Sequence, residues 1–98
     1  MLPSPEPFVV FQRLGDGAVL FSPVTELYFG LNEVGARIWE LLPPASSSFA
    51  ELCDKLTIDY PDIPRDTIRQ DALELLAGLT REKLVAPPPP SLGATAVP

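Results

Sequence analysis

The chain has 98 residues, 46% of them hydrophobic, enough for one small globular domain but not for two. Its 13 acidic against 7 basic residues give a net charge of -6, a field that repels nucleic acid and anionic membrane surfaces. With no histidine and a single cysteine, Cys53, the chain has no means to build a Ser-His-Asp or Cys-His arrangement, an intramolecular disulfide, or a zinc site of histidines or clustered cysteines.

Residues 1–7, MLPSPEP, carry three prolines and read as an extended N-terminal arm. They lack the basic start and apolar stretch of a secretory signal, and no apolar run reaches the roughly 20 residues that span a bilayer, so the expected location is the cytoplasm. Two segments rich in Val and Phe follow, FVVFQRL from Phe8 and AVLFS from Ala18, flanking Gly15-Asp16-Gly17. They predict two strands joined by a tight turn. SPVTE makes a second turn with Pro23 setting its backbone angle, and Glu26 to Leu31 reads as a third strand. The result is an antiparallel meander.

At Leu31 the period changes from two to that of a helix with no loop between. Asn32 is a suitable N-cap for a first helix over 33–42, which Pro43-Pro44 cannot continue. Ser48 and Glu51 stand at capping-box spacing ahead of Phe49, Leu52, Cys53 and Leu56, the stripe of a short second helix. On that stripe Cys53 reads as a small core hydrophobe. Ile68, Ala72, Leu75, Leu76 and Leu79 predict a third helix over 65–80. Residues 86–98, with five prolines, read as a Pro-rich flexible tail.

The predicted fold is therefore α+β: a winged helix-turn-helix with a three-stranded antiparallel sheet followed by three helices, over residues 8–85. In the third strand Leu27, Phe29 and Leu31 share the face turned to the helices, and Glu26, Tyr28 and Gly30 face outward. Trp39, Ile38 and Val34 belong to the core. Asp59, Asp62, Asp66, Asp71 and Glu74 are ordinary solvated carboxylates, so no catalytic site, metal or cofactor is expected. The third strand has a free edge, and an open edge beside an apolar helix suits the capture of an extended peptide.

The segment LYFGLNEVGARIWELL, then a capped short helix, then IRQDALELLAGLTREKLV resembles the PqqD family, also called RiPP recognition elements, over about Phe8 to Val85. The Leu31-Asn32 step before GARIWELL and the Asp71-x-x-x-Leu75-Leu76 pattern carry the resemblance. Many members have a Cys-Asp-Gly turn after the first helix; PPASSS stands here instead, which leans toward the stand-alone proteins of lasso-peptide biosynthesis. The resemblance implies a non-catalytic protein that binds the leader of a ribosomally made precursor and delivers it to a modifying enzyme or leader peptidase. It also implies that the leader adds as a strand beside Glu26, Leu27, Tyr28, Phe29, Gly30 and Leu31, against Ile68, Ala72 and Leu76 of the third helix, with Arg65 and Arg69 placed to grip leader carboxylates. The expected state is a monomer, a homodimer through the free edge being the alternative. A winged-helix DNA-binding regulator is the competing function. Against it, Arg65, Arg69, Arg81 and Lys83 on and beyond the third helix are matched by Asp66, Asp71, Glu74 and Glu82.

Overall fold

Gly15, at φ 61°, takes the first central position of a two-residue turn that brings Leu14 opposite Gly17. A positive φ at that position is what a type II′ hairpin turn requires. The computed structural model describes residues 2–87. In chain order the elements are β1 (Ser4–Pro5), β2 (Val10–Leu14), β3 (Gly17–Ser22), β4 (Leu27–Leu31), α1 (Glu33–Leu41), α2 (Phe49–Asp59), α3 (Arg65–Arg81) and β5 (Val85–Ala86). Strands β2, β3 and β4 form an antiparallel sheet with β3 in the middle, the meander expected from the sequence.

The caps lie where the sequence puts them. Asn32 Oδ1 accepts the Gly35 N–H at 2.8 Å, so one residue separates the end of β4 from the start of α1. Ser48 Oγ accepts the Glu51 N–H at 3.1 Å, but Glu51 reaches one residue further back than a capping box would. Its Oε1 accepts the Ser47 N–H at 2.7 Å and the Ser47 hydroxyl at 2.8 Å.

The apolar stripes close two connected cores. Leu20, Leu31, Ala36, Trp39 and Leu79 fill the space between the sheet, α1 and the end of α3. Ile38, Leu41, Leu52, Leu56, Ile68 and Ala72 join the three helices, and Leu75 and Leu76 pack against both groups. Cys53 is buried, and burial pushes its thiol up. Three ion pairs, Arg13–Glu40 at 2.8 Å, Arg37–Asp59 at 2.7 Å and Arg65–Asp54 at 2.7 Å, tie neighbouring elements at the surface. Being exposed, each contributes about 1 kcal/mol at most.

The ends of the domain correct the expected boundaries. The arm is extended but docked: Ser4 pairs with Ala86 and Pro5 with Val85, while Leu2 is buried in the helical core. Ala86 thus belongs to a strand and not to the tail, whose residues 88–98 lie outside the described residues. Proline is compatible with such a two-residue edge ribbon because it needs few ladder bonds. Among the described residues no helix is long and apolar enough to cross a membrane.

Candidate functional site

Among the described residues strand β4 pairs with β3 on one side only, so alternate N–H and C=O groups along its other edge are open for pairing. Beside that edge lies a cleft of about 420 Å³. Its floor and walls are Phe29, Gly30 and Leu31 of β4, Asn32 and the first turns of α1 as far as Ile38, and Asp71, Glu74, Leu75, Gly78 and Arg81 of α3. The apolar middle is thus flanked by charges that come from one helix.

Gly78 opens the cleft. A Cβ there would stand 3.5 Å from Phe29 Cζ and 3.7 Å from Arg81 Nη2, so the missing side chain leaves room beside the phenyl ring. Leu31 is buried and Phe29 half-buried, and the register sets them beside Ala18 and Leu20 on the helix-facing side, as expected. Leu27 points the same way by register, opposite Ser22, but lies beyond the helices and is 57% exposed. Tyr28 is 74% exposed on the outer face, its ring 4.8 Å from that of Phe21. Glu26 is not part of the strand. It occupies the preceding turn at φ 61°, its N–H donating to Ser22 O at 2.7 Å.

On α3 the expected residues and the cleft residues diverge. Ile68 and Ala72 are fully buried in the helical core and do not line the cleft. Arg65 is paired with Asp54 of α2, Arg69 is exposed elsewhere, and Leu76 faces a groove with Pro3 and Pro87. The reason is angular. At about 100° per residue, Ile68, Ala72 and Leu79 make one buried stripe, with Asp71, Glu74 and Gly78 on one flank and Arg65, Arg69 and Leu76 on the other. Of the expected set, Ile68 and Ala72 lie in the buried stripe, and Arg65, Arg69 and Leu76 lie on the flank away from the cleft. A glycine inside the helix, Gly78, is the one local signal for the flank that lines the cleft, since such a glycine often marks close packing.

The cleft offers hydrogen-bonding backbone, apolar surface and three charges. Among the described residues no group of histidine, cysteine and carboxylate side chains is arranged to hold a metal.

A family model described as coenzyme PQQ synthesis protein D (PqqD) matches residues 17–85. Two solved structures are similar in both sequence and fold. TbiB1 in complex with the TbiA(beta) leader peptide is 30% identical, with a TM-score of 0.74 over 89% of this chain and 99% of that one. A lasso peptide synthetase B1 complexed with the leader peptide is 26% identical, with a TM-score of 0.67 over 86% and 95% of the two chains. No curated protein matches the chain.

Proposed function

The chain belongs to the PqqD family, and from that premise we infer that it is a leader-peptide recognition protein: it takes the leader of a ribosomally made precursor as an added strand on β4 and presents the precursor to a modifying enzyme or leader peptidase. The observation that carries this reading is the conjunction of the open β4 edge with the α3-walled cleft beside it. Main-chain bonds along Leu27–Leu31 supply register, and apolar leader side chains enter between Phe29, Leu75 and Gly78. The two similar structures, each holding a leader peptide, support the same class of ligand. The protein contributes binding and positioning, and the chemistry belongs to its partner enzyme. That role accords with a cleft walled by backbone, apolar side chains, two carboxylates and an arginine. It acts in the cytoplasm as a monomer, where the precursor is made.

The test is an NMR titration of the labelled protein with the leader of its cognate precursor. Amide shifts concentrated on Leu27–Leu31 and on Leu75, Gly78 and Arg81 are expected. Shifts confined to β2, or no binding at all, overturn the reading.

A further inference from the structure

The cleft is ordered electrically along its length. Resting on the strand-addition reading, we propose that it selects a peptide in which a basic residue precedes an acidic one by roughly two to three positions, with an apolar side chain between them. Three charged groups line the cleft: Asp71, Glu74 and Arg81. Among the described residues none of them has an ion-pair partner, which is also true of Arg69 and Lys83 away from the cleft, whereas Arg13, Arg37, Lys55 and Arg65 are paired. Glu74 receives only a neutral hydrogen bond, from Gln70 Nε2 at 3.0 Å. The protein leaves these charges uncompensated where a ligand would cover them. A peptide laid over an unpaired charge strips its water without return, so matching charges on the peptide are favoured and opposing ones rejected.

Position turns this into an order. Gly78 and Arg81 stand beside Phe29, and α3 runs from there back past Leu75 and Glu74 to Asp71, alongside the α1 residues that follow Leu31. The carboxylates therefore mark the Leu31 end of the edge and the guanidinium the Phe29 end. Arg81 Nη2 reaches back to within 3.7 Å of where a Gly78 Cβ would stand, so four to seven helical residues separate the guanidinium from the carboxylate positions, about 6–10 Å, which an extended strand covers in roughly two to three residues. Every pairing in the sheet is antiparallel, the arrangement that is also the more stable per residue. A peptide antiparallel to β4 runs from the Leu31 end toward Leu27, so it meets Asp71 and Glu74 first and Arg81 afterwards. Glu82 lines a separate hollow with Leu27, Phe29 and Leu84, at the Leu27 end of the edge, which the peptide reaches only after Arg81.

The experiment is selection of a displayed library of short random peptides on the full chain, in parallel with Arg81→Glu and with the triple variant Asp71→Lys, Glu74→Lys, Arg81→Glu. All three side chains are exposed, and a melting curve for each variant checks that it folds. The parent should enrich basic-before-acidic peptides about tenfold over the reversed order. Arg81→Glu should lose the acidic preference alone, and the triple variant should invert the order. Equal enrichment of both orders, or a preference that survives the triple variant, overturns the charge order while leaving strand addition standing. Recovery of no enriched peptide overturns strand addition itself, and this inference with it.

Discussion

Gly17 and Leu31 meet backbone against backbone: a Cβ on Gly17 would overlap the Leu31 carbonyl oxygen. The contact lies at the hinge where β4 hands over to α1, next to the Ala18–Leu31 pair, so relieving it means shifting the strand that carries the open edge. Gly17→Ala is therefore expected to lose about 1–3 kcal/mol in urea unfolding, the cost typical of overpacking. Gly30→Ala is the control. Its Cβ would meet nothing within 4 Å, and stability should stay within about 0.5 kcal/mol of the parent.

The N-terminal arm contributes to the fold. Leu2 is 4% exposed and packs in the core that holds Ile38, Leu41 and Leu52. Leu2→Ala should cost roughly 2–3 kcal/mol, near the lower end for a truncated core leucine because a chain end can relax. A melting temperature equal to that of the parent would show that the arm does not dock in solution.

Acid sensitivity should centre on Glu51. The Ser47 backbone N–H, then the Ser47 hydroxyl and Lys55, hold its carboxyl at about 2 against an ordinary 4.5. Because the folded value is the lower one, the stabilisation is complete above about 4.5 and is lost as pH falls toward about 2. Glu51→Gln should flatten that part of a stability curve, by a modest amount since the group is at the surface. With no histidine to titrate, stability should be level between about pH 6 and 8. Burial raises Cys53 and Tyr60, so their contribution is present below their ordinary values and fades as pH climbs past 9, the ordinary value for cysteine. Denaturant midpoints measured across pH check all three limbs.

How far the sequence could be read follows from which signals are local. Asn32 and Ser48 announce their helices because a capping side chain acts on its own next turn, and α1 and α3 end within one residue of their expected limits. The β1–β5 ribbon was invisible, since it joins residues about 80 positions apart and its Pro5 argues against a strand. The helical period revealed the buried stripe of α3 but not which flank of it turns toward β4. That choice is made by how the helix packs on α1 and α2, and the local pattern of Ile68, Ala72 and Leu79 is blind to it.

The flank has a direct test in the pair Gly78 and Ala72. At Gly78 an added Cβ makes ordinary contact with Phe29, and replacing glycine by alanine inside a helix stabilises it, so Gly78→Ala should gain about 0.5–1 kcal/mol. A larger side chain there projects into the space that a peptide would use. Gly78→Phe should remain folded yet bind the leader at least tenfold more weakly, about 1.4 kcal/mol. Ala72 behaves in the opposite way. It is fully buried among Ile38, Leu52 and Ile68, so Ala72→Phe overpacks the core, and any loss of binding should accompany a loss of about 1–3 kcal/mol in stability. Calorimetry with the leader, paired with a melting curve for each variant, separates the two effects. If folded Gly78→Phe binds as tightly as the parent, the peptide does not lie between β4 and α3, and the free strand edge serves some other partner.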